Sequence, residues 1–171
     1  MNAVEIEEAV SELASQPFDR AEFAYQFLAA FGNKETTIKR LRAAGGSNAS
    51  GVPGGILQRN NIHLATCAAG EVHATLKALR ASPKTASAKA KFILVTDGET
   101  LQAEDVTSDD PPIACEYAKF PDHFGFFLPL AGITTVKQIR ESSFDIRATG
   151  RLNRLYIELL KDNPEWGTAD R

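Results

Sequence analysis

The lysines of this chain lack the neighbour that metal-dependent DNA cleavage requires. Nucleases of the restriction type hold Mg²⁺ between two carboxylates and place a lysine two positions after the second. The metal and the lysine together activate water and stabilise the charge that develops on the phosphate. Here the residue two positions before each lysine is never acidic. The sequence therefore predicts no nuclease centre of the usual kind, and we assign no catalytic residue.

Four other carboxylates leave an alternative open. Asp97, Glu99, Glu104 and Asp105 flank a predicted hairpin, where the alternation of a strand could bring some of them to one face. Carboxylate oxygens are the ligands that Mg²⁺ prefers. A diverged, Mg²⁺-dependent endonuclease site built from these residues is thus one hypothesis. Turn residues and solvent-facing strand residues are the commoner role of such carboxylates.

The histidines and cysteines do not form a recognisable site. His63, His73 and His123 are separated by whole elements and lack metal-binding spacing. We predict that His63 is a hydrogen-bonded residue of a strand. A Cys67 nucleophile with a histidine base is formally possible, but nothing places the two together or lowers the pKa of the thiol. Cys67 is therefore interpreted as a small buried apolar residue.

Two further stretches fall short of ligand-binding motifs. The glycine-rich segment 45–55 is predicted to be a flexible loop, because the Lys-Ser/Thr pair of a phosphate-binding loop does not follow its glycines. Asn163-Pro164-Glu165 begins like the element with which adenine methyltransferases grip a flipped base, but it lacks the second proline. The chain alone thus has no complete methyltransferase site.

Basic residues are the candidates for DNA contact. Helical spacing places three arginines near the C-terminus on one face, and a second basic group lies in an earlier helical segment. Solvated helix faces are the competing interpretation, because phosphate contacts normally come from larger basic clusters. The candidate residues are Arg147, Arg151, Arg154, Lys39, Arg40 and Arg42.

The composition limits which folds, ligands and cellular compartments are expected for this chain. With 171 residues, 43% of them hydrophobic, the chain can build one compact core. Its net charge of −3 gives no global attraction to nucleic acid, so any DNA contact must come from a local patch. Two cysteines without a paired motif favour a reducing cytoplasm. The acidic start and the absence of a long apolar run predict neither a signal peptide nor a membrane segment.

Hydrophobic periodicity indicates leading helices, a central group of strands and a helical tail. Asp97-Gly98 marks a tight turn between two strands, and the phenylalanines between 120 and 127 are predicted to fill the core. The predicted helices are 3–14, 20–31, 35–43, 72–79 and two in the region after 134, and the predicted strands are 62–67, 92–96, 101–106 and 113–117.

The resulting fold class is α/β or α+β, with a small mixed sheet flanked by helices and a helical C-terminal extension. We divide the chain into an N-terminal α/β domain, residues 1–133, and a helical segment, residues 134–171. No internal repeat or low-complexity tract is present.

Four stretches, taken in order, resemble the amino-terminal region of MmeI-like restriction-modification proteins. The first two are Glu22-Phe23-Ala24-Tyr25-Gln26-Phe27-Leu28-Ala29-Ala30-Phe31-Gly32 and Phe92-Ile93-Leu94-Val95-Thr96-Asp97-Gly98. The other two are Phe120-Pro121-Asp122-His123-Phe124-Gly125-Phe126-Phe127 and Arg151-Leu152-Asn153-Arg154-Leu155-Tyr156. The resemblance covers essentially the whole chain, although each stretch is a structural pattern rather than an active-site signature.

The resemblance implies an N-terminal, restriction-endonuclease-like domain of a longer chain. In that family, a helical spacer, an S-adenosylmethionine-dependent adenine-N6 methyltransferase domain and a target-recognition domain follow. It also implies DNA and the remaining domains of the same chain as partners, S-adenosylmethionine as the parent's cofactor and no cofactor for this part alone. Segment 134–171 would lead toward the spacer and the methyltransferase domain.

One departure from the family matters for activity. Nuclease-active relatives carry an Asp and a Glu-x-Lys on the first strands of the sheet, whereas the matching strand here reads Ile62-His63-Leu64-Ala65-Thr66-Cys67. The resemblance therefore implies a degenerate, non-catalytic module of a methyltransferase used in restriction-modification or phage defence. The alternatives are a diverged metal-dependent endonuclease and a protein-interaction module without DNA affinity.

Overall fold

A five-stranded mixed sheet, in the order β1-β2-β3-β4-β5, forms the centre of the protein in a computed structural model. The structure describes residues 2–133, 150–152, 154–159 and 161–162. The strands are β1 (Gly55–Gln58), β2 (Ile62–Thr66), β3 (Phe92–Thr96), β4 (Thr100–Asp105) and β5 (Ile113–Glu116). β2 and β3 are parallel and the other neighbours are antiparallel. The mixed sheet of the predicted fold class is confirmed.

Helices flank this sheet. They are α1 (Ala3–Ser15), α2 (Phe23–Ala30), α3 (Glu35–Arg42), α4 (Val72–Ala81) and α5 (Pro83–Ser87), followed by a 3₁₀ segment, Tyr117–Ala131. α1 starts at a capping box, in which the side chain of Asn2 accepts from the amide of Glu5 and the carboxylate of Glu5 accepts from the amide of Asn2. The two parallel strands need a crossover, and α4 and α5 supply it.

Both faces of the sheet are covered, so every residue of its central strands β2 and β3 is buried. In β2 and β3, Leu64 and Leu94 face a core shared with α1, α2 and the 3₁₀ segment. Ala65 and Val95, one position later, face α4 on the opposite side. The period of two along each strand thus divides the core into two layers.

Phenylalanines dominate the larger layer, as the sequence predicts. Phe27 is fully buried, and its ring centroid lies 5.4 Å from that of Phe127 and 4.8 Å from that of Phe31. Phe127 also packs on Phe92 of β3, at 5.9 Å. Helix, sheet and 3₁₀ segment are therefore joined through one aromatic cluster.

Three local predictions need correction. Segment 45–55 is not simply a flexible loop, because it ends in an unpredicted strand, β1, that pairs with β2. The polar segment 82–90, where the sequence predicts neither a helix nor a strand, contains α5. The second helix begins at Phe23 rather than near Arg20, because Asp19 accepts from the amide of Ala21 in a turn that precedes the helix.

The helical tail is described only in part. Residues 150–152, 154–159 and 161–162 are helical, in agreement with the prediction. The first predicted helix after residue 134 lies outside the described residues. Within the described part, no helix is both long enough and apolar enough to cross a lipid bilayer.

Candidate nucleic-acid interface

The glycine-rich segment is fixed to the sheet by the side chain of Asn48. Its carbonyl oxygen accepts from the amides of Ser50, at 3.0 Å, and Leu57, at 2.9 Å, while its amide donates to the carbonyl of Gly55, at 3.1 Å. Gly54 adopts a φ of +72°, and a Cβ there would lie 2.9 Å from the carbonyl oxygen of Thr66. Only glycine tolerates both this φ and this close approach, so the backbone of the segment is fixed at Gly54.

A series of hydrogen-bonded polar side chains also holds segment 45–55 in place. His63 of β2 is fully buried, with Nε2 2.8 Å from the hydroxyl of Ser50 and Nδ1 2.8 Å from the hydroxyl of Thr85 in α5. The Thr85 hydroxyl donates its proton to the carbonyl of Leu79, at 2.6 Å. Nδ1 must therefore be the protonated nitrogen, and Nε2 accepts from Ser50.

Burial lowers the pKa of His63 to about 4, because the charged ring would lose its hydration. The ring is thus neutral near pH 7 and fully bonded within the protein. The prediction of a hydrogen-bonded strand histidine is confirmed. The histidine pins segment 45–55, β2 and α5 together.

Cys67 is buried, as predicted, and directly follows β2. Its thiol hydrogen-bonds the carbonyl of Thr96 at 3.9 Å. Burial raises the pKa of this thiol; a hydrogen bond with Thr75 opposes that effect, and the nearby charge of Asp97 adds to it. A raised pKa disfavours the thiolate, which is opposite to what a nucleophile needs.

Asp97, Glu104 and Asp105 accept hydrogen bonds within the protein, whereas Glu99 is exposed in the turn after β3. Asp97 accepts from the amides of Gly70 (3.1 Å), Glu99 (2.9 Å) and Thr100 (2.8 Å) and so closes the turn between β3 and β4. Its desolvation raises the pKa, but these amide hydrogen bonds outweigh that effect, and the net pKa is lowered. Asp97 is therefore an ionised turn residue.

Glu104 and Asp105 are separated from that turn. Glu104 lies opposite Ile93 in the register, four residues before Asp97 along β3, which corresponds to roughly 13 Å. Its carboxylate pairs with Arg80 of α4. Asp105 points to the other face of β4 and accepts from the amide of Thr107 at 2.8 Å.

The described residues thus do not fit the Mg²⁺ site of the endonuclease hypothesis. No group of three histidine, cysteine, aspartate or glutamate side chains in the described part of the chain could hold a metal ion. The first two strands, Gly55–Gln58 and Ile62–Thr66, contain neither a carboxylate nor a lysine. A Mg²⁺ site at these four carboxylates remains a prediction, and their geometry does not support it.

Substitution of Asp97 tests its structural role. We expect Asp97→Ala to lower the free energy of unfolding by about 1–3 kcal/mol, because three amides lose their acceptor in a turn between two central strands. Asp97→Asn keeps one oxygen in place and should lose less. Urea unfolding followed by circular dichroism measures both. An Asp97→Ala variant as stable as the wild type would contradict this role.

The basic side chains of α3 differ in whether they form ion pairs. Arg42 makes a two-pronged pair with Glu22, at 2.5 and 2.7 Å, and its guanidinium carbon lies 4.0 Å from the ring centroid of Tyr25. The hydrogen bond from Arg42 lowers the pKa of Glu22. Lys39 pairs with Glu35 at 2.8 Å on the exposed face of α3. Arg40 has no such partner among the described residues and lines a cavity beside the glycine-rich segment.

The C-terminal arginines face a mixed environment. Arg151 and Arg154 line a cavity of about 410 Å³ together with Glu7 of α1 and with Asp122 of the 3₁₀ segment. Acidic neighbours make this a poorer phosphate site than the spacing alone suggests. Arg147 lies outside the described residues, as does Asn163-Pro164-Glu165. Among the described candidates, Arg40 and the pair Arg151 and Arg154 line different cavities.

The fold is a five-stranded mixed sheet with flanking helices, an α+β architecture. Residues 1–162 match the family described as "MmeI, N-terminal domain", and the chain belongs to that family. It is also similar to the protein named DNA methyltransferase A of Bacillus subtilis (strain 168), with 28% identity over 163 residues. That match covers 95% of this chain but 18% of the relative. No solved structure matches the chain.

Proposed function

We propose that this chain is the N-terminal, non-catalytic module of a DNA methyltransferase and that it helps to position DNA or the other domains. The observation that carries the proposal is the composition of β1 and β2. In a nuclease these strands would supply metal ligands and a lysine, and here their polar residues are Gln58, His63 and Thr66. The family match and the named methyltransferase relative support the association with methylation.

The proposal includes the parent's chemistry as its second part. The parent would transfer a methyl group from S-adenosylmethionine to the N6 position of adenine, in a cytoplasmic restriction-modification or phage-defence system. The cofactor would be held by domains other than this one. The free cysteines Cys67 and Cys115 are consistent with a reducing compartment.

The exposed apolar face of the C-terminal helix supports contact with the remaining domains. Leu152, Leu155 and Tyr156 are each more than half exposed, and helical spacing places them on one face. An exposed apolar patch on a helix is typical of an interface rather than of a solvated surface. We propose the division into an α/β domain, residues 1–133, and a connecting helical segment, residues 134–171, with the helix packing against the domain that follows in the parent.

A nicking assay tests the non-catalytic part. The 171-residue chain is incubated with supercoiled plasmid and Mg²⁺ or Mn²⁺, and conversion to the open circle is measured. We expect the wild type to produce no more open circle than metal without protein. Metal-dependent nicking that Asp97→Ala abolishes would establish the diverged endonuclease instead. The urea unfolding of the same variant shows whether a loss is chemical or structural.

A further inference from the structure

Three cations from separate elements surround the pinned glycine-rich segment. Arg40 of α3 and Arg59, which directly follows β1, line a cavity of about 530 Å³ together with Ser47 and Asn48. Arg59 also lines an adjoining cavity of about 440 Å³, whose other cation is Lys84 of α5. Because Arg59 and Ala49 border both cavities, the two adjoin each other, and we call them together the Arg59 groove.

The three cations are available to a ligand. Arg40, Arg59 and Lys84 are exposed, and within the described part of the chain no carboxylate lies within ion-pair distance of any of them. Aspartate and glutamate are absent from the described residues that line the groove. This contrasts with Arg42 and Lys39 on the same helix, which are both paired.

The groove is held in shape before any ligand binds. Asn48 ties the glycine-rich segment to β1, and the Ser50–His63–Thr85 chain ties that segment to α5. Lys84 directly precedes Thr85, and its side chain lies along Gly51, where an added Cβ would stand 3.5 Å from Nζ. The elements that carry Arg59 and Lys84 are therefore fixed relative to one another. A preformed site avoids the cost of ordering loops on binding.

We propose that the Arg59 groove binds phosphate oxygens of the duplex DNA backbone. Three cations with polar hydroxyl and amide neighbours match the usual contacts of proteins with phosphates, which position the duplex without reading its sequence. The groove is open to solvent, unlike an enclosed small-molecule site. The proposal rests on the proposed DNA-positioning function and deepens it by assigning the contact surface.

The test measures binding of a fluorescent duplex by anisotropy across rising salt concentrations. The variant Arg40→Gln/Arg59→Gln/Lys84→Gln removes the three cations. The control Lys77→Gln/Lys91→Gln/Lys119→Gln removes the same charge from exposed lysines that do not line the groove. We expect the groove variant to bind more weakly, with a salt slope shallower by about 0.9 for each phosphate that the protein no longer neutralises. The control should bind like the wild type.

Three results would overturn the assignment. If the groove variant binds DNA as the wild type does, the surface is wrong while the proposed function can stand on other contacts. If the wild type binds no duplex, both the groove and the DNA-positioning role fail, whereas the nicking result is unaffected. If inorganic phosphate binds the groove and duplex DNA does not, the ligand is a free anion. Circular dichroism of each variant confirms that it is folded.

Discussion

Replacing Phe27 with alanine is expected to lower the free energy of unfolding by about 3–5 kcal/mol, the usual cost of emptying a buried phenylalanine site. Phe27 is fully buried and contacts phenylalanines from α2 and from the 3₁₀ segment. Since small domains are stable by only about 5–15 kcal/mol, this one change could remove most of the stability. Urea unfolding followed by circular dichroism measures the loss.

Two further variants make this prediction specific. Phe27→Leu retains most of the apolar volume and should cost less than Phe27→Ala. Val4→Ala, at a side chain that is 47% exposed, should leave stability nearly unchanged. A Phe27→Ala variant as stable as Val4→Ala would show that the aromatic cluster does not hold the helical layer on the sheet.

Acid should destabilise the protein through His63. The pKa of this ring is about 4 in the folded state, against an ordinary value of 6.5. Between these pH values the unfolded chain binds a proton that the folded chain excludes. The contribution of the neutral ring to the free energy of unfolding is therefore fully present well above pH 6.5 and is lost as the pH falls toward 4. The difference between the two pKa values corresponds to a loss of roughly 3 kcal/mol in the free energy of unfolding. The free energy of unfolding, measured from about pH 7 to about pH 4, tests this.

A non-titrating variant isolates the contribution of the ring. His63→Gln should flatten the decline between pH 6.5 and pH 4, whatever its effect on absolute stability. His73→Gln, at an exposed position, should keep the pH profile of the wild type. Ring proton resonances of His63 that shift with a midpoint near 6.5 would contradict the assignment of a buried, neutral histidine.

Long or strongly patterned elements could be predicted from sequence because local signals suffice for them. Phe92–Thr96 is a continuous apolar run followed by Asp97-Gly98, and it forms β3 and the turn to β4 as expected. β1 was missed because Gly55–Gln58 follows a glycine-rich segment and is too short to show alternation. It exists through its pairing with β2 and through the Asn48 clamp, which are tertiary effects.

The Arg59 groove illustrates what periodicity cannot reveal. Arg40 was a candidate because it lies among other basic residues, whereas Arg59 and Lys84 are isolated in the sequence. Only the fold brings these three cations together. Conversely, Arg42 belonged to a promising basic group, but Glu22, 20 residues away, neutralises it. Pairing partners that are distant in sequence decide which cations remain available.

Methylation by the complete methyltransferase chain tests the central claim most directly. Methyl transfer from S-adenosylmethionine to duplex DNA is measured across DNA concentrations, with this domain present and with residues 1–133 removed. If the domain positions DNA without taking part in chemistry, its removal should raise KM for DNA and largely preserve kcat. An unchanged KM would contradict the positioning role, and a kcat that is lost at saturating DNA in a folded protein would contradict the non-catalytic one.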